Sequence, residues 1–251
     1  MKKILILFLF IISVFTYSTE IDRSNIIEKK GVFYEKSSNK PFTGKIKGFY
    51  ENGKMETEGT FLKGIPNGQF KSYYENKRLE KELWYEKGKK EGLSKLYYRN
   101  GKLKKNVTYK NGVLDGIVSD YYENGVIQSE IPYKKDKKNG EAIVYNKNGN
   151  IISRIFYKND KINGTLKKIY DNGVLMSEVT YKNDVKHGLG RYFHKNGQLK
   201  ATVNWKKDKV EEEVSIYDKD GKLEKKVLFD EKDLIVNEED DDTGRTRSNK
   251  K

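Results

Sequence analysis

The chain of 251 residues has no cysteine, three prolines, two tryptophans and two histidines. Without thiols it can build no disulfide framework and no cysteine nucleophile, and it carries no lipid anchor on an N-terminal cysteine. The two histidines, His187 and His194, are too few for a zinc site, which needs three or four ligands. Serines lack a G-x-S-x-G setting, and neither a P-loop nor a dinucleotide-binding fingerprint occurs. The segment Asp218–Gly221 (DKDG) begins like a calcium loop but lacks the glutamate that would close it. Helix signals are missing throughout. These absences argue against an enzyme and give no reason to expect a cofactor or a metal.

One long apolar run exists, from Ile4 to Phe15, preceded by Lys2 and Lys3 and followed by the small residues Thr16 and Ser18. That order predicts a cleavable secretory signal peptide over residues 1–18, with export to a bacterial periplasm, the cell envelope or the medium. Its alternative is an uncleaved anchor, for which the run is short. Net charge is +14. Residues 44–229 hold 39 Lys and Arg against 25 Asp and Glu, so the excess lies in the body of the chain. Such a surface attracts an anionic membrane surface, a cell-wall polymer or an acidic protein, or simply keeps a sheet soluble.

What the chain has in abundance is repetition. Gly53, Gly101, Gly125, Gly149, Gly173, Gly197 and Gly221 recur with a period of 24 residues, Lys77 taking the one missing slot. A second glycine column runs Gly44, Gly68, Gly92, Gly116, Gly140, Gly164 and Gly188, and Glu212 stands where its next member would fall. Aromatic residues fill two further columns. One holds Phe49, Tyr73, Tyr97, Tyr121, Tyr145, Phe193 and Tyr217; the other holds Phe61, Tyr85, Tyr109, Tyr133, Tyr157, Tyr181, Trp205 and Phe229. A fixed period of this length marks tandem supersecondary units that must stack to bury a core.

Asn-Gly between two runs of β-formers signals a hairpin, and a two-residue type I′ turn suits strand twist. With Asn100 and Gly101 at the tip, the register pairs Tyr98 with Leu103, Leu96 with Lys105, Ser94 with Val107 and Gly92 with Tyr109. Alternation then places Tyr98, Leu103, Val107 and Tyr109 on one face. A bare glycine opposite each ring would let the ring lie flat over the backbone, giving Gly68, Gly92, Gly116, Gly140, Gly164 and Gly188, with Tyr85, Tyr109, Tyr133, Tyr157 and Tyr181, a structural role. The expected fold is all-β, an elongated single-layer antiparallel sheet of tandem 24-residue hairpins. Its division is an N-terminal cap over 19–43, eight repeats over 44–235 and a charged, disordered tail over 236–251.

The other face offers the candidate binding site. It carries Tyr73, Tyr97, Tyr121 and Tyr145 beside Lys71 and Lys95, with Glu58, Glu82 and Glu178 across from Lys47, Lys71 and Lys167. These rings would either meet a partner or pack between neighbouring units. Alternating Lys and Tyr could also track a nucleic acid, but export and the lack of any RNA-binding signature argue against that partner.

The aromatic, Asn-Gly and Gly-x-x-x-Gly columns, as in Lys110–Gly116 (KNGVLDG) and Glu86–Gly92 (EKGKKEG), resemble MORN repeats. Pro41–Gly59 (PFTGKIKGFYENGKMETEG) is similar to the bacterial variant found in the YwqK family. The resemblance covers about residues 41–229. It implies hairpin arrays that act as protein-binding scaffolds, dimerisation modules or lipid-binding surfaces, and in the YwqK family an antitoxin of a toxin–antitoxin pair. An export signal is at odds with a cytoplasmic antitoxin, which leaves an envelope immunity protein with a toxin as its partner. The leading expectation is a non-enzymatic exported scaffold for a protein partner.

Overall fold

The computed structural model describes residues 19–228 except 212. The expected signal peptide (1–18), the charged tail (236–251), Glu212 and Phe229 lie outside the described residues. Two compact units are present, one of residues up to 101 with 109–112, the other of residues 102–108 and those from 113 onward. Both are antiparallel sheets of successive hairpins, and one 3-10 turn, Arg23–Asn25, is the only helical element among the described residues.

In the first unit, Gly44–Phe49 pairs with Met55–Leu62, which pairs with Ile65–Tyr73, which pairs with Leu79–Glu86. The short strand Glu20–Asp22 runs parallel to Gly44–Phe49 and covers what would be an open sheet edge. A separate hairpin, Ile26–Lys29 with Val32–Glu35, brings Phe33 to 4.7 Å from Phe61. Phe61, Phe70 and Tyr85 then follow at centroid distances of 5.1 and 4.9 Å in edge-to-face geometry. Phe42, Ile46 and Phe61 are the buried centre of this unit.

The second unit repeats the same plan through Gly140–Tyr145, Ile151–Lys158, Lys161–Ile169, Leu175–Lys182, Val185–Phe193 and Leu199–Lys206. Its buried cluster is Val179, Val203, Trp205 and Val214, backed by Tyr181, Tyr192 and Ile216. The Lys186 ammonium sits 4.1 Å from the Trp205 ring centroid, and Lys138 sits 5.1 Å from that of Tyr157. Long lysine stems thus cover rings that a single-layer sheet would leave wet.

The glycine–ring register holds: Gly68 pairs with Tyr85, Gly116 with Tyr133, Gly140 with Tyr157 and Gly164 with Tyr181. The cause differs from the expected one. At Gly164 three residues, Asn163 to Thr165, oppose the single residue Phe156 of the preceding hairpin, a bulge. There φ is +138°, and an added Cβ would lie 3.1 Å from the Phe156 Cβ. The bulge against the strand before it, rather than the ring on the strand after it, demands glycine.

The Asn-Gly turns also depart from expectation. Tyr121, not Tyr122, pairs with Ile127, across a bulge between Asp120 and Tyr121, and Gly125 N–H donates to the Tyr122 carbonyl at 2.8 Å. Gly125 alone in this turn has positive φ, +92°. The loop is a type I turn closed by a left-handed glycine, one residue longer than the type I′ turn expected, so the Tyr98 position does not pair with the Leu103 position. Type I′ turns do occur, at the opposite end of the strands: Asn159 and Asp160 have φ of +51° and +68° between the paired Lys158 and Lys161.

Candidate functional site

All four expected binding tyrosines are half-buried, and the hydroxyls of Tyr73, Tyr121 and Tyr145 are tied to a neighbour. The Tyr73 hydroxyl donates to Glu58 Oε1 at 2.7 Å and the Tyr145 hydroxyl to Glu130 Oε2 at 2.8 Å. At Tyr121 the amide of Asn106 donates to the hydroxyl at 3.3 Å. The partner stands 15 residues earlier each time, on the adjoining strand of the preceding hairpin. Burial first, then the Glu58 hydrogen bond and charge, pushes the Tyr73 phenol up to about 12. Tyr97 is raised in the same sense by burial and by the charge of Glu82, which stands in the same 15-residue relation. These rings therefore join hairpins as well as coat a face.

Lys71 and Lys95 lie beside them, in register with Glu82. The charge pairs expected from register are met in part. Lys167 reaches Glu178 at 3.1 Å, whereas Lys47 turns to Glu20, and Glu58 is met by Lys45 at 3.6 Å. Glu82 accepts from the Gln69 amide at 2.6 Å. Half-exposed ion pairs of this kind contribute about 0–1 kcal/mol each.

The same face holds apolar side chains that sequence reading missed. In the first unit Trp84, 50 % exposed, stands opposite Gln69, and Leu93 is 48 % exposed. In the second, Ile117 (51 %) pairs with Pro132 and Phe156 (46 %) with Glu141. Trp84 and Phe156 share one repeat column, two residues from Glu82 and Arg154, and Leu93 and Ile117 share another, two residues from the lysine column; alternation would make both columns polar. In the first unit the apolar side chains stand beside Lys71 and Lys95; in the second, Phe156 stands opposite Glu141, which pairs with Arg154 at 2.9 Å.

The residue that follows the first aromatic column, Tyr50, Tyr74, Tyr122 or Tyr170, has a separate use. Tyr50 donates to the Tyr73 carbonyl at 2.6 Å, Tyr74 to that of Tyr97 at 2.7 Å, Tyr122 to that of Tyr145 at 2.8 Å and Tyr170 to that of Phe193 at 3.0 Å. His194 occupies this column, and its Nε2 lies 3.1 Å from the Tyr217 carbonyl, so it replaces a tyrosine as a link to the next hairpin. His187 is exposed on the strand Val185–Phe193. Asp218, first residue of the calcium-like segment, accepts from the backbone amides of Asp220 and Lys222 within its own turn. Among the described residues no three His, Asp or Glu side chains gather as a metal-ligand set.

The profile of a family described as MORN repeat variant matches residues 42–63, 90–111, 114–135, 138–159, 162–183 and 186–207, just over half of the chain. Between and after these stretches it passes over the hairpin with Lys77 in the turn-glycine slot and the hairpin of Val214–Tyr217 with Leu223–Val227. Comparison with curated proteins gave no match.

Proposed function

We propose, from the premise that the chain belongs to the MORN repeat variant family, that it is a non-enzymatic scaffold, exported from a bacterial cell, holding a protein partner on its lysine-bordered face. The observation that carries this reading is the strip of large apolar side chains left half in water, Trp84 and Leu93 in one unit and Ile117 and Phe156 in the other. Soluble sheets seldom leave aromatic and aliphatic groups aligned in this way without a use for them. Tyr73 and Tyr97 with Lys71 and Lys95 in the first unit, and Tyr121 and Tyr145 in the second, supply polar contacts beside these side chains.

The test is partner capture from the native host by cross-linking, read with Trp84→Ser/Leu93→Ser and with Tyr97→Ser/Tyr121→Ser. Loss of the captured partner in the first variant, with the circular dichroism of the sheet unchanged, is the expected result. Capture undiminished in both variants rejects the face. N-terminal sequencing of the protein outside the cytoplasm, starting near Thr19, supports export; an intact Met1 chain in the cytosol rejects it. An immunity role is the special case in which the captured partner is a toxin, tested by expressing that partner alone.

A further inference from the structure

We propose that the type I′ turn edge of the second unit is a binding site for a linear polyanion, distinct from the apolar face. Four such turns line this edge: Lys134–Lys137, Lys158–Lys161, Lys182–Val185 and Lys206–Lys209. They carry nine lysines, at 134, 135, 137, 158, 161, 182, 206, 207 and 209, against four aspartates. All nine lysines are exposed, and Lys206 alone, with Glu211, forms an ion pair among the described residues. At the opposite ends of the strands, Glu123, Lys147, Asp171 and Lys195 alternate in sign from turn to turn and cancel. The charge is segregated to one edge.

The four aspartates lower the charge of the edge from +9 to +5, but none of them pairs with its lysines among the described residues. Asp136 accepts from Leu114 N, Asp160 from Lys138 N, Asp184 from Ile162 N and Asp208 from Lys186 N, all at 2.7–2.8 Å. Each carboxylate is thus directed at the backbone of the preceding repeat, while the lysines other than Lys206 have no acidic partner among the described residues.

The backbone of these turns adds a comparison. Lys135 and Lys207 occupy the first central position of their turns with φ of +49° and +51°. Lysine is poorly suited to that left-handed conformation, which Asn159 and Asn183 fill in the intervening turns. Lys63 and Lys87 hold the same position in the first unit with φ of +50° and +47°, so the strained lysine belongs to the turn column as a whole, and the accumulation of charge, not the strain, singles out this edge. Guarding against edge-to-edge aggregation does not explain it, because turns present no open hydrogen-bond ladder.

Geometry selects the partner. Two strands per repeat space the turns by about 10 Å, so cationic clusters recur at about every third charge of a chain whose phosphates lie roughly 3 Å apart. Strands in a sheet rotate by roughly 20–25° each, and a row of turns winds accordingly. A flexible anionic polymer can follow such a row; a flat membrane meets only part of it.

The experiment uses the full chain and fluorescently labelled long-chain inorganic polyphosphate, with anionic vesicles in a parallel arm. In the test variant Lys135→Asn and Lys207→Asn suit the turn, and Lys137→Gln, Lys158→Gln, Lys161→Gln and Lys209→Gln remove further charge. The expected result is polyphosphate binding that weakens steeply with salt, a loss of at least about tenfold in affinity for the variant, and a salt slope lowered by about 0.7 for each phosphate no longer neutralised. Lys147→Gln/Lys195→Gln/Lys222→Gln on the other edge should change little. No polyphosphate binding, binding to vesicles alone, or equal losses from both edges overturns the proposal. Partner capture through the apolar face is read with different variants, so either idea can fail alone.

Discussion

Ser94 is fully buried, and its hydroxyl has no hydrogen-bond partner. The equivalent positions in other repeats include Val118, Ala142 and Val214, all buried. An unpaired buried hydroxyl costs on the order of 1–3 kcal/mol, so its removal without change of shape should stabilise the fold. Ser94→Ala is therefore expected to raise unfolding stability by about 1 kcal/mol, measured as a shift of the urea midpoint at constant slope. A lower midpoint would show that the oxygen is satisfied in solution, by a bound water. The 24-residue period made this position legible as core, but no pattern of residues discloses whether a particular hydroxyl finds a partner.

At the scale of the element, the Asn-Gly turn explains why its asparagine recurs. Asn124 accepts from Val126 N at 3.0 Å through its side-chain oxygen and donates through its nitrogen to the Lys147 carbonyl of the next turn at 2.9 Å. Asn76, Asn172 and Asn196 make the same two bonds. Aspartate can accept but not donate, and Asp220 holds the position in the last described hairpin, beyond which no further turn is described. Asn124→Asp should thus keep its own turn yet lose the link to the next, at a cost of about 1 kcal/mol in thermal or urea unfolding. Asn124→Ala should cost more, since both bonds go. Asn-Gly fits the tip of a two-residue type I′ turn and the end of a three-residue loop equally well. Residue identity alone could not separate these, and the one-residue shift at Tyr98 follows from that degeneracy. Trp84 and Phe156 escaped notice for a related reason. Each stands in a column that is polar in most repeats and reads as noise until the strands of its own unit set it on the face that also carries Leu93 or Ile117.

For the whole molecule, the period is more than a count, because bonds at fixed sequence separation tie each repeat to the next. Turn aspartates reach back 22 residues and the Tyr-Tyr column reaches forward 23, at opposite ends of the strands. The 24-residue period and the alternation of side chains are what the sequence made readable; hairpin order followed from them, and register too except at the Asn-Gly tips, whereas the 22- and 23-residue links did not. Excision of residues 140–163 joins Asn139 to Gly164 and so restores an Asn-Gly bulge at the junction, every later residue moving up by one whole unit. The shortened chain should therefore fold, with a smaller denaturant slope because less surface is exposed on unfolding. Excision of residues 152–163 removes half a unit. It leaves one turn type where the other is needed and reverses the direction of every following strand, so the 22- and 23-residue links cannot form. That chain is expected to lose cooperative unfolding and to aggregate through mismatched edges. Equal behaviour of the two deletions in circular dichroism and urea titration would mean that the links between repeats contribute little, and that each hairpin is held by strand pairing alone.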